Sequence, residues 1–213
     1  MLIIFDLDDT LIDTSGCIIP FKLKQCHQKL IQQGMIATYE ELLKYNASAS
    51  NTFDGLKEFL LQKKGPLDLL NELGQILQDP LPEGFQVSTT PHATEVLQDL
   101  KANHLLALVT RGSPPYQMEK LEKAGIDKTL FSKIAIPERV GKKPFYEALL
   151  HEFSYSACET WVCADRVDVD LQPAFELKMN TIHMKWGRGK EKKADWVSHT
   201  ICDLRELKGI LTA

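Results

Sequence analysis

Asp6, Asp8 and Asp9 follow directly on the apolar run Leu2 to Phe5, and Asp165, Asp168 and Asp170 follow the run Trp161 to Ala164. Thr110, Arg111 and Gly112 follow Leu105 to Val109, and Lys142 and Lys143 come a short loop after Ile134 to Ile136. If these runs are strands of one sheet, carboxylates, a hydroxyl and a lysine collect at one of its edges. Clustered carboxylates repel one another unless a cation joins them, so the set makes little sense as a stabilising device. Donors that are all oxygen select a hard cation, and magnesium is the usual choice where phosphate is handled. Asp6 and Asp8 stand at i and i+2, which puts both acids on the same side of an extended strand.

The elements that must position these residues are readable. The apolar runs Leu2 to Phe5, Leu105 to Val109, Ile134 to Ile136, Trp161 to Ala164, Thr181 to Met184 and Trp196 to Ile201 are mostly continuous rather than alternating. Strands covered on both faces read this way. Segments of helical period separate them. Thr90 with Pro91 reads as a helix start, with Val96, Leu97 and Leu100 as its apolar stripe. Ser113 and Pro114 open another helix that Gly125 closes, and residues 203 to 211 form a last one with Leu204, Leu207 and Leu211 inward. Strand and helix in alternation predict an α/β fold: a Rossmann-like, doubly wound parallel sheet whose ligands gather at the carboxyl ends of its strands. From residue 15 to 87 the pattern is helical only. Thr38 and Glu41 resemble a capping box, Gly34, Gly65 and Pro80 read as stops, and Ala47 to Ser50 reads as a loop. The expected organisation is a core of residues 1–14 and 88–213 with a small all-helical domain, 15–87, inserted after the first strand.

Composition narrows the class further. The 213 residues are 44% hydrophobic and 25% charged, with a net charge of −4 and no long block of one sign, so no nucleic-acid partner is expected. The N-terminus lacks the basic start and long apolar run of a signal peptide, and no segment reaches the length that spans a bilayer. Five cysteines, odd in number and without metal-ligand spacing, fit reduced thiols and a cytoplasmic protein.

Four stretches together carry a resemblance: LIIFDLDDT, LLALVT, KKP and WVCADRVDVD. In this order, each at an expected strand end, they are similar to the four motifs of the haloacid dehalogenase-like superfamily, in its phosphatase branch, with a helical cap between the first two motifs. The resemblance implies a magnesium-dependent phosphatase that hydrolyses a small phosphorylated metabolite. It casts Asp6 as the nucleophile that becomes an acyl phosphate, and Asp8 as the acid–base. Asp6, the backbone carbonyl of Asp8 and Asp165 would hold Mg2+, with Asp170 supporting through water. Thr110, Arg111 and Lys143 would bind the phosphoryl group. Dehalogenases of this superfamily lack an acid in the place of Asp8, because only an alkoxide leaving group needs a proton. Ala164 and Asp9 depart from the family, which commonly has glycine at both places.

Some assignments stay open. Lys142 and Lys143 are adjacent, and the proline after Lys143 favours the latter; Asp168 competes with Asp170. A sugar-phosphate mutase could use the same core residues, and a binding or regulatory module could keep the fold without turnover. Lys22, Lys24, Lys44 and Lys57 of the helical region could meet a second anionic group on the substrate. Cys163 reads as core, and His92, His104 and His183 as structural or exposed.

Overall fold

A computed structural model of the chain describes residues 1–211. Two compact units divide it, one of Met1–Thr14 with Glu83 onward, the other of Ser15–Pro82. Residues 83–87, expected among the helices, lie with the sheet-bearing unit. There the Val87 amide donates to the Lys123 carbonyl (3.1 Å) and the Ser88 carbonyl accepts from the Asp13 amide (2.8 Å).

The first unit is built on six parallel strands: β1 (Leu2–Phe5), β2 (Leu105–Val109), β3 (Lys133–Ala135), β4 (Thr160–Ala164), β5 (Asn180–Met184) and β6 (His199–Ile201). Their order is β3-β2-β1-β4-β5-β6. The register sets Phe5 beside Leu108 on one side and Cys163 on the other. Residues that leave the ends of β1, β2 and β4 are therefore neighbours. Alternate residues explain why the runs are apolar throughout. Leu2, Ile4, Ala107, Val109, Val162 and Ala164 enter one core cluster with Tyr146 and Leu149. Ile3, Phe5, Leu106, Leu108 and Cys163, of opposite parity, are buried as well. Each large aliphatic side chain removed from water contributes roughly 1.5–3 kcal/mol. Burial on both faces therefore dominates the placement of β1.

The second unit is α1 (Ile19–Gln32), α2 (Tyr39–Ser48), α3 (Thr52–Gln62) and α4 (Leu69–Gln78), entered through a π-helical turn at Thr14–Ile18. Leu23, Cys26, Leu30, Leu42, Leu56, Phe59, Leu60 and Leu73 form its core. The capping box is present: the Glu41 amide donates to Thr38 Oγ1 (3.2 Å) and the Thr38 amide to Glu41 Oε2 (3.0 Å). Gly34 takes φ 75 just beyond α1, a conformation glycine adopts without steric cost. The expected loop at Ala47 to Ser50 begins later, because the Ser48 hydroxyl donates to the carbonyls of Lys44 and Tyr45 and closes a last turn of α2.

The remaining helices, α5 (Ala93–Lys101), α6 (Pro114–Lys123), α7 (Lys143–Phe153), α8 (Gln172–Glu176) and α9 (Leu207–Leu211), belong to the first unit. Helix α5 does not start at Thr90 as its Thr-Pro pair suggests. Thr90 is buried with its hydroxyl donating to the Thr10 carbonyl (2.7 Å), and His92 takes φ 63 before the helix begins. Strand β6 is shorter than the run from Trp196, since Trp196 instead stacks on Phe175 with ring centroids 4.7 Å apart. Leu204, Leu207 and Leu211 are buried as their period implies, and Cys163 is fully buried. Among the described residues no helix is long and apolar enough to cross a membrane.

Candidate active site

The turn after β1 is wound tightly. The Leu7 carbonyl accepts from the amides of Thr10, Leu11 and Ile12, and the Asp9 amide donates to the Ile12 carbonyl (2.8 Å). Leu7, Leu11 and Ile12 are fully buried, which fixes the turn from beneath and leaves Asp6 and Asp8 on the other side. Asp9 takes φ 57. That is where the family's usual glycine would sit without strain, and aspartate is one of the few other residues that tolerates it. The Asp6 amide donates to the Cys163 carbonyl (3.1 Å), extending the β1–β4 pairing to the residue that carries the carboxylate. Thr10 Oγ1 accepts from the Asp165 amide (3.0 Å), so the turn and the end of β4 are pinned together.

Asp6, Asp165 and Asp170 are all buried, and one carboxylate oxygen from each lies within 4.8 Å of the other two. Asp170 stands in a π-helical turn, Val167–Leu171, and the Tyr146 hydroxyl donates to its backbone carbonyl (3.3 Å). Asp168, two residues earlier in that turn, points away; it is exposed and pairs with Arg166 (3.3 Å). Residues two apart on a helical turn face nearly opposite directions, which separates the two candidates.

The lysine in the site is Lys142, not Lys143. Lys142 is 1% exposed, and its Nζ lies 2.6 Å from Asp6 Oδ1 and 2.5 Å from Asp170 Oδ1. Lys143 projects outward to Glu176 (2.8 Å) with 43% of its side chain exposed. Pro144 occupies the first turn of α7, and the preceding N-cap residue, Lys142, looks back at the strand ends while Lys143 is already on the helix. Adjacent helical residues are about 100° apart, so only one of the pair can face the carboxylates. Thr110 is buried beside the end of β2, its amide donating to the Ala135 carbonyl (3.1 Å). Arg111 is exposed and enters the site through its backbone carbonyl alone, which accepts from Gln117 (3.1 Å). A phosphate-binding side chain at that position finds no support in its placement.

Nucleophile candidate, proton-transfer candidate, hydroxyl and acidic triad thus follow the ends of three adjacent strands, and the lysine reaches them from the start of α7. A family model described as haloacid dehalogenase-like hydrolase matches residues 3–184. The chain belongs to this family. The glyceraldehyde 3-phosphate phosphatase of Methanocaldococcus jannaschii is 30% identical over 98% of this chain and 96% of its own length. The protein of the same name from Pyrococcus furiosus is 26% identical over 99% and 92%. Among solved structures, the HAD-hydrolase YfnB from Bacillus subtilis bound to magnesium shares the fold, with a TM-score of 0.72 at 18% identity across 100% of this chain and 98% of that one.

The electrostatics of this HAD-like hydrolase fit a cation. Burial pushes the Asp6 carboxyl up to about 7; Lys142 opposes the shift, and the charges of Asp170 and Asp8 add to it. Asp165 is raised well above the usual range by burial, then by Asp6, Asp170 and Asp9. Burial alone would lower the Lys142 ammonium, yet Asp170 and Asp6 outweigh it and hold it well above the ordinary lysine value. One buried lysine against three buried carboxylates leaves negative charge that a divalent ion would neutralise, and the donors are all oxygen.

Asp8 has partners that sequence reasoning missed. Lys120 Nζ reaches both of its oxygens (2.8 and 3.1 Å), Gln117 Nε2 donates to Oδ2 (2.9 Å), and Thr14 Oγ1 donates to Oδ1 (2.5 Å). Burial pushes this carboxyl up, but the Lys120 ammonium and the hydrogen bonds from Gln117, Lys120 and Thr14 prevail and hold it below the usual carboxylate range. The signal was present as two polar residues three apart on one face of α6, a spacing common on any solvated helix. Lys22 is 1% exposed and donates to the Asp79 carbonyl (2.6 Å), so it braces the helical unit from within, while Lys24, Lys44 and Lys57 are exposed. His183 is buried in β5 against the Gly189 carbonyl (3.1 Å), and His92 lies beside Glu95.

Proposed function

We propose that this hydrolase is a magnesium-dependent phosphatase of small phosphate monoesters that works through an aspartyl phosphate on Asp6. The observation that carries the reading is Asp6 against Lys142 and within the acidic triad, with Asp8 two residues on and joined to Thr110 through Gln117. A carboxylate of Asp6 attacks phosphorus in line with the ester oxygen, forming an acyl phosphate as the ester P–O bond breaks. Asp8, ionised at rest by its Lys120, Gln117 and Thr14 contacts, takes up a proton as the anionic substrate binds beside it, gives that proton to the departing alkoxide, then takes one from the water that attacks the acyl phosphate. Inorganic phosphate leaves and Asp6 is restored. Thr110 and Lys142 face the phosphoryl oxygens and stabilise their charge. Asp6, Asp165 and Asp170, with the Asp8 carbonyl, would hold Mg2+, which supplies further charge neutralisation at the phosphoryl group.

The near-full-length relatives named glyceraldehyde 3-phosphate phosphatase support a triose phosphate as the first substrate to try. Selection among metabolites would lie with the helical unit, Ser15–Pro82, in the role of a cap. Phosphate release from a panel of sugar and triose phosphates, with and without Mg2+, tests the reading. Release from at least one metabolite only with metal supports it; rearranged ester without free phosphate would indicate a mutase instead.

A further inference from the structure

We propose that Lys120 and Gln117, on one face of α6, are positioning residues for Asp8. They would hold its carboxyl in the orientation from which it exchanges a proton with the leaving oxygen and then with water. The inference rests on the acid–base role given to Asp8 above.

Helix α6 buries one aliphatic side chain, Leu121. Yet Lys120 is only 7% exposed and Gln117 only 2%. A lysine is almost never buried without a partner, and the carboxylate that Lys120 pairs with is Asp8. Lys120 Nζ spans both carboxylate oxygens at 2.8 and 3.1 Å, which fixes the plane of the carboxyl as well as its position. The ammonium is confined in turn by a cation–π contact, its Nζ 4.8 Å from the centre of the Tyr116 ring.

Gln117 does something different. Its Nε2, with two N–H donors, lies within hydrogen-bond distance of Asp8 Oδ2 (2.9 Å), Thr110 Oγ1 (2.6 Å) and the Arg111 carbonyl (3.1 Å). One amide group therefore ties the acid on the β1 turn to the hydroxyl and backbone at the end of β2. Gly112, with φ 148, leaves room for it; a Cβ there would sit 3.3 Å from the Gln117 side chain. The Asp8 side chain nevertheless stays 29% exposed, so one edge remains open to a substrate. The proton moves from that carboxyl to the ester oxygen as the P–O bond breaks. It is replaced from water as the water oxygen bonds to phosphorus and the bond to Asp6 breaks.

The test compares a primary alkyl phosphate (glyceraldehyde 3-phosphate or glycerol 3-phosphate) with p-nitrophenyl phosphate, whose leaving group departs without a proton. Misplacing a general acid forfeits part of its ~10²–10⁴-fold contribution, so Lys120→Met should lower kcat on the alkyl ester by about 10–100-fold and on the aryl ester by at least about tenfold less. KM should change little, and Lys120→Arg should recover most of the loss. In an Asp8→Asn background, Lys120→Met should add less than about threefold, because the group it positions is gone. Gln117→Met gives the same readouts if Lys120→Met melts below the assay temperature. Equal slowing of both esters, or full additivity with Asp8→Asn, overturns the inference. If Asp8→Asn itself fails to discriminate the esters, the acid–base reading of Asp8 falls and takes this inference with it. If Asp8→Asn discriminates and Lys120→Met does not, only the inference falls.

Discussion

Lys142 Nζ lies 2.6 Å from Asp6 Oδ1, with both side chains more than nine-tenths buried. The contact joins residues 136 positions apart and is made from the residue just before α7, where a helix beginning at Lys143 leaves one lysine pointing inward and one outward. Asp170 receives the same ammonium on its other side. Lys142 is thus the only ammonium within salt-bridge distance of the acidic triad among the described residues, and it touches two of the three members.

The two adjacent lysines should therefore behave differently. Lys142→Ala strands buried carboxylates and should cost about 3–5 kcal/mol in metal-free protein, together with nearly all turnover. Lys143→Ala removes a surface pair with Glu176 and should cost no more than about 1 kcal/mol, with kcat/KM close to that of the parent. Thermal melts and phosphate-release kinetics on both variants decide it. The reverse order of effects would return the site lysine to position 143.

Magnesium should stabilise the fold even without substrate. A ligand present at 100 times its Kd contributes about 2.7 kcal/mol, which for a domain of this size raises Tm by roughly 5–10 °C. Asp165→Asn should abolish most of that rise while leaving a folded protein. A Tm indifferent to Mg2+ and EDTA in the parent, or full turnover in metal-free buffer, would count against the metal site.

The covalent step can be caught directly. Acid-quenched enzyme given a 32P-labelled substrate should retain label in an alkali-labile acyl phosphate. Asp6→Asn should retain none, since an amide cannot form that bond. Asp8→Asn should still accept label but turn over an alkyl ester about 10²–10⁴-fold more slowly. Label on the Asp6→Asn protein would move the nucleophile elsewhere.

Lys22 should matter to stability rather than to substrate choice. Its ammonium donates to the Asp79 carbonyl at the end of α4, and hydrogen bonds to charged groups are worth about 1.5–3 kcal/mol. Lys22→Met keeps the apolar stem, loses the donor and should melt at lower temperature by a corresponding amount. A change in substrate preference with an unaltered melt would make it a specificity residue after all.

What the sequence disclosed and what it hid divide along physical lines. Asp6, Asp165 and Thr110 are visible because each terminates a continuous apolar run, and two-sided burial makes such runs unmistakable. Asp170 could be preferred over Asp168 but not secured, since both precede the same helix and only the winding of the π-helical turn separates them. Lys142 and Lys143 differ by one residue, and the proline that favoured the second fixes where α7 starts rather than which side chain faces inward. Gln117 and Lys120 were illegible because polar residues three apart on a helix usually face solvent. The start of α5 was misread because Thr90, an ordinary capping residue in type, is spent on the Thr10 carbonyl.

The segment after β5 carries a consequence of its own. Gly187 and Gly189 pass so close to the Asp9 side chain and the Asp165 backbone that a methyl group at either position would overlap them. Gly187 adds a left-handed backbone, φ 51, and Trp186 before it donates from its indole to Asp13 Oδ1 (2.9 Å). The fifth strand contributes no reacting group, yet its exit acts as a mould against which the acidic residues are cast. A side chain at either glycine would have to displace the acidic residues it touches. A graft that swapped this segment between relatives would have to carry the β1 turn and the end of β4 with it, so the three stretches fit together as one module although 173 residues separate Asp13 from Trp186.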